Sequence, residues 1–168
     1  MKSTLTFLAI ILSVFSVKAQ TKNADVIAIE KQVDAMVNSW NTHNHSDMKS
    51  YCTTDCSWVN IVGMWWKNLE EVQYSTQFYH TNMFKHTTMT NKGVFVRIIN
   101  PTTALVHFKS YVSEFTTPDG HKIAGSDDIA LLVYVKQNGK WLMTAGENVV
   151  IDPVAQKNDP VLHLDKLR

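Results

Sequence analysis

Residues 55–66 read Asp-Cys-Ser-Trp-Val-Asn-Ile-Val-Gly-Met-Trp-Trp, and their reading sets the fold class. The first half alternates as a strand does: Trp58, Asn60 and Val62 fall on one face, Val59 and Ile61 on the other. Gly63 lets the backbone turn, and two further indoles follow at Trp65 and Trp66. Three of the five tryptophans of the chain thus lie within nine residues. They read either as core packing or, with Asn60 beside Trp58, as the wall of a concave pocket, and the pocket is the favoured reading.

Working outward from this stretch, the N-terminal side holds a helix. Val26, Ile29, Val33, Met36, Val37 and Trp40 follow three- and four-residue steps and form one apolar stripe, with Asp25 as its expected cap. Trp40 stands at the helix end, where its ring closes a cavity or simply fills the core. His43 and His45 follow at a spacing that matches no metal motif, and they read as a solvated turn. Ser46 and Lys49 bracket a short second helix. Cys52 and Cys56 are the only cysteines, and a local disulfide between them stays open.

On the C-terminal side, Asn68 followed by Glu71 marks a capped helix over residues 69–84, with Val72, Thr76, Tyr79, His80 and Phe84 near one face. The period then switches to two. Residues 89–99, 104–115, 128–135 and 140–151 read as strands, separated by Asn100-Pro101, Pro118-Asp119-Gly120 and Asn138-Gly139. Long strands with short turns predict an antiparallel sheet curled around helices, an α+β domain. The run 129–135, Ile-Ala-Leu-Leu-Val-Tyr-Val, has no polar face, so it is expected to be covered on both sides, by its own helices and by a second copy in a homodimer.

Residues 1–19 carry Lys2, a mostly apolar run over 5–17 and Val17-Lys18-Ala19, the pattern of a signal peptide cleaved after Ala19. Residues 20–24 then form a flexible start, 25–152 the domain and 153–168 a tail, and the expected location is periplasmic or secreted. Processing reduces the 16 basic residues to 14 against 15 acidic ones and leaves no integral membrane span. This balance gives no electrostatic ground for a nucleic-acid partner.

Taken together, Trp40-Asn41 with His43, Asp55 through Gly63, Trp66 before the capped helix, His80 and Phe84, Ala104-Leu-Val-His107 and the closing Trp141 to Asn148 resemble the SgcJ/EcaC group. That group is a branch of the SnoaL-like, nuclear-transport-factor-two-like superfamily, and the resemblance spans residues 25–152. It implies a cone-shaped domain, with a curved antiparallel sheet on three helices and an apolar cavity at the open end. It also implies frequent dimers and small-molecule binding, in some members with isomerase- or cyclase-like chemistry. Thr76 and Glu147 stand where some members carry histidines, so no complete catalytic scheme transfers.

The resulting expectation is an exported domain that binds a small apolar or aromatic molecule and moves a proton on it. His80 is the expected proton-transfer residue and His107 the second candidate. The expected ligand contacts are Trp40, Trp58, Asn60, Trp65, Trp66, Phe84, Lys109 and Asn148, with Glu147 or Asp127 orienting the histidine. No metal and no cofactor is expected: the oxidoreductase label of the branch has no Gly-x-Gly-x-x-Gly behind it here. The alternative is a non-catalytic ligand-binding or protein-interaction domain built from the same tryptophans.

Overall fold

A computed structural model describes the backbone of residues 23–167 and the side chains through Leu164. The expected leader, residues 1–19, and residues 20–22 lie outside the described residues. Helix α1 (Ala24–Thr42) opens the domain, capped by Asn23 through a bond from the Asp25 amide rather than by Asp25 itself. The Asp25 carboxylate instead accepts from Lys136 Nζ at 2.7 Å and Trp141 Nε1 at 2.9 Å, tying the first turn to the sheet. These bonds, Lys136 foremost, hold its pKa below the usual carboxylate value.

A three-residue 3-10 turn (Met48–Ser50) replaces the expected second helix. Strand β1 (Cys52–Val59) then pairs with the short β2 (Trp65–Trp66). Helix α2 (Leu69–Thr81) starts on the Asn68 cap, which accepts from the Glu71 amide. Four long strands complete the main sheet: β3 (Met89–Asn100), β4 (Thr103–Val112), β7 (Ser126–Gln137) and β8 (Lys140–Val150). A separate two-stranded ribbon, β5 (Phe115–Thr116) with β6 (Lys122–Ile123), lies between β4 and β7. Asn138 and Gly139 both take positive φ, 51° and 78°, as a two-residue hairpin turn requires.

The sheet order is β2-β1-β8-β7-β4-β3, and the sheet is mixed, not wholly antiparallel. Strand β1 runs parallel to β8, while every other neighbour pair is antiparallel. The expectation fails here because hydrophobic period shows which face a strand buries and says nothing of its direction beside a partner some ninety residues away. Helix α2 carries the chain from the β1 edge toward β3 at the far edge. After three hairpin reversals the last strand returns beside β1 in the same direction.

Helices α1 and α2 cover one face of the sheet. The third α-helix, α3 (Pro153–Gln156), buries no residue, so two helices and not three form the layer on the sheet. Ile29, Val33, Val72, Val106, Phe108 and Leu132 lie at the centre of the core between the layers. Cys52 and Cys56 are buried free thiols. Between Cys52 and Ser57, β1 advances five residues while β8 advances only from Met143 to Ala145, so β1 bulges. Their mutual hydrogen bond, together with burial, pushes the Cys52 thiol far up and keeps it protonated. Among the described residues no helix is long and apolar enough to cross a membrane.

Candidate functional site

His80 lies at the end of α2 and is 2 % exposed. Gln73, Gln77 and His80 recur at steps of four and three, so they share the helix face that meets the chain after α1. Gln73 Nε2 donates to the His45 carbonyl at 2.7 Å and Gln77 Nε2 to the His43 carbonyl at 3.1 Å, while Gln77 Oε1 accepts from the His45 amide at 3.0 Å. This clamp folds His43 and His45 inward. His43, in the left-handed region at φ 53°, ends α1 and places its Nδ1 2.9 Å from His80 Nδ1. The His45 ring centroid is 4.5 Å from that of His80, and Trp40 meets His80 edge-on at 4.4 Å. The reading of His43 and His45 as a solvated turn is therefore corrected, because the two glutamines bond the backbone at both residues and the histidine rings turn inward, while Asn44 between them stays exposed.

Burial pulls His45 down to about 4, with the Asp47 carboxylate pulling the other way. Burial pulls His80 down to about 3, and His45 and His43 add to the shift. Both rings are neutral at pH 7. Within the protein, His80 Nε2, both ring nitrogens of His45 and Trp40 Nε1 have no hydrogen-bond partner. Glu147, expected to orient His80, lies on the opposite face of the sheet, and Asp127 is likewise exposed there. Asp47, the carboxylate nearest His45, is bonded to the Ser39 hydroxyl at 2.8 Å. The cluster thus has a neutral, sequestered histidine pair and no carboxylate to orient a proton shuttle.

The structure brings Trp40, His80 and Phe84 together, and it joins Trp66 to them through Tyr79, with centroid distances of 5.3–6.2 Å along the chain of rings. Trp58 pairs with Trp66 and lies over Gly146, where a Cβ would come within 2.2 Å of the indole. These rings pack on one another and on the core. Of two surface clefts of about 420 and 340 Å³, the first lies beside Asp34 and Lys92, and the second beside Met83 and Phe115, whose ring meets that of Phe84 at 4.9 Å. Asn60 leaves the expected alternation: β1 ends at Val59, and the Asn60 Oδ1 accepts from the Val62 and Met64 amides at 3.1 and 2.8 Å. Asn148 stays half-buried on the inner face opposite Ala130. Trp65 points outward and is 61 % exposed.

His107 and Lys109 lie across the sheet from His80. Along β4, Ala104, Val106 and Phe108 are buried beneath the helices, while His107 and Lys109 alternate outward and are exposed. The register aligns Phe95, His107, Leu131 and Glu147 in one outer row and Lys109, Ile129 and Val149 in the next. Phe95, Leu131 and Val149 are exposed, and Leu105, Ile129 and Val133 are half-buried. The charges on this face are segregated: Arg97 and Lys109 on β3 and β4, Asp127 and Glu147 on β7 and β8. Among the described residues no group of three or more His, Cys, Asp or Glu side chains is arranged to hold a metal ion.

No family model matches the chain, and no curated protein is significantly similar to it. Solved structures do match. An uncharacterized protein with a cystatin-like fold from Caulobacter vibrioides superimposes with a TM-score of 0.79 at 29% identity, over 82% of this chain and 97% of that one. A domain of unknown function with a cystatin-like fold from Nostoc punctiforme gives 0.65 at 21% identity, over 87% and 99%. A putative Ca/calmodulin-dependent kinase II association domain from Exiguobacterium sibiricum gives 0.60 at 13% identity, over 79% and 97%.

These likenesses correct the resemblance drawn from sequence. The structural relatives are cystatin-like proteins and kinase association domains, not the SgcJ/EcaC group, and the architecture is theirs rather than the expected SnoaL-like cone. The residues that carried the resemblance have local structural work: Trp58 occupies the space over Gly146, Asn60 builds a turn and His80 is held in the core. The main functional expectation, proton transfer on a small ligand, is overturned with it.

Proposed function

We propose that this domain is a non-catalytic assembly module that pairs with a second copy of itself through the outer face of the sheet. The carrying observation is that face: Leu131 and Ile129 on the central β7, Phe95 on β3 and Val149 on β8 to either side, cations on β3 and β4 and carboxylates on β7 and β8. A two-fold axis through its middle sets the Arg97–Lys109 flank of one protomer against the Asp127–Glu147 flank of its partner. Leu131 and its neighbours leave water in the process. Similarity in fold to proteins called association domains supports the reading.

Light scattering during size exclusion across a dilution series into the micromolar range tests it. The wild type is expected to be a dimer or larger, and Leu131→Asp, which buries an unpaired charge at the centre, is expected to be a monomer. Lys109→Glu should weaken the assembly and Glu147→Lys in the same chain should restore it. A wild type that stays monomeric through the series overturns the proposal.

A further inference from the structure

The turn between β1 and β2 presents a cluster of exposed apolar side chains. Ile61, Val62, Met64 and Trp65 are all exposed, Val62 by 69 %, and Gly63 at the tip has open space where a Cβ would stand. Along β4 and β7, by contrast, exposure alternates with the strand. Here consecutive apolar residues surround a tip, so a flat protein surface covers only one side of it, whereas a fluid apolar medium covers every side.

The backbone of the tip is prepared for such a medium. The Asn60 amide donates to the Met64 carbonyl at 2.9 Å and the Gly63 amide to the Asn60 carbonyl at 2.8 Å. The Asn60 side-chain oxygen accepts from the amides of Val62 and Met64. Four of the five amide donors of residues 60–64, those of Asn60, Val62, Gly63 and Met64, are thereby satisfied within the turn. At the base of the turn, Lys67 Nζ lies 5.5 Å from the Trp65 ring, an indole and an ammonium side by side as at a bilayer's headgroup level. Met64 continues the patch onto α2 through the Tyr79 hydroxyl at 3.5 Å, beside the exposed Phe78. Glu70 and Glu71 stand three and four residues beyond Lys67, so the tip carries no excess positive charge to select anionic lipid.

We propose that the 60–65 turn is a membrane-interface wedge, which inserts Ile61, Val62 and Trp65 into the headgroup and upper acyl region of a zwitterionic lipid bilayer. This goes beyond self-assembly and uses a different surface, for β2 is the edge strand of the sheet.

The test is quenching of the full chain's tryptophan fluorescence by phosphatidylcholine vesicles brominated on their acyl chains. Residues 1–22 contain no tryptophan, so the signal reports the folded domain. The wild type should be quenched, Trp65→Phe should lose most of the quenching, and the Ile61→Ser/Val62→Ser double variant should need about tenfold more lipid or more. Both variants alter exposed side chains, and an unchanged thermal melt confirms that they fold. Absence of quenching in the wild type overturns the proposal, as does quenching that neither variant changes. A lipid-free oligomer that the double variant dissociates would instead assign the tip to protein contact. Retention of the outer-face dimer by the double variant keeps the two proposals separate.

Discussion

The inner and outer faces of the sheet are built from alternate residues of the same strands, yet they end in opposite states. On β7, Ala130, Leu132 and Tyr134 turn inward and are sealed beneath α1 and α2, while Ile129, Leu131 and Val133 turn outward with no element above them. The inward residues complete a core whose far side ends in the Trp40–His43–His45–His80 cluster. The outward residues are nearly as apolar, and among the described residues no helix is packed over them. A strand with two apolar faces thus carries two instructions, and the fold of one chain executes only one of them.

The sharpest way to break that comparison is to cut one side chain on the closed face. Leu132 is fully buried in the core cluster, and Leu132→Ala removes side-chain packing there. The expected loss is about 2–5 kcal/mol, read as a lower urea midpoint at unchanged slope. A loss below about 1 kcal/mol would mean that the inner face is not the tight core described here.

Acid separates the faces next. His45 and His80 are neutral when folded and titrate near their ordinary value of about 6.5 when unfolded. Because their folded pKa values are depressed, the unfolded chain binds more protons between about pH 6.5 and pH 4. Stability should therefore be fully present above about pH 7 and fall by a few kcal/mol as pH drops through this window toward the folded values. Urea unfolding measured at a series of pH values checks this. His45→Gln with His80→Gln should flatten the slope. An equal slope in the inner-face double variant would remove the histidine pair from the account.

Asn60 gives a smaller effect and shows where sequence reading stops. Asn60→Ala removes the acceptor for two turn amides and should cost about 1–2 kcal/mol, with Asn60→Asp retaining most of the stability because it keeps the acceptor. Thermal melts of the three proteins make the comparison. The alternation of residues 55–62 put Asn60 on a pocket wall, because period alone does not mark where a strand gives way to a turn. Local signals were legible: Asn68 with Glu71 as a cap, Asn138-Gly139 as a hairpin, and alternation in β4. The parallel pairing of β1 with β8 was not, since direction depends on the path taken by the chain between them. The histidine cluster was half legible. His80 stood out on its helix, but His43 and His45 join it only because Gln73 and Gln77 hold the intervening loop, and their steps of four and three with His80 were the missed signal.

The smallest expected effect is the most discriminating, because Leu131 and Leu132 differ by one position in sequence and by the whole thickness of the sheet in environment. Leu131 is 42 % exposed in the isolated chain, and its neighbours across the outer row are His107 and Glu147. Leu131→Ser leaves no cavity within the protomer and strands no buried donor, so the folding stability of a monomeric sample should change by no more than about 0.5 kcal/mol. The measurement has to be made at protein concentrations low enough for the copies to be separate, because a dimer interface would add its own contribution to the melt. Repeating the unfolding curve at rising concentration then isolates that contribution. The wild-type midpoint should climb with concentration while that of Leu131→Ser stays level. A large loss at low concentration would mean that Leu131 supports the protomer itself. Two superimposable, concentration-independent curves would leave the outer face without a partner copy.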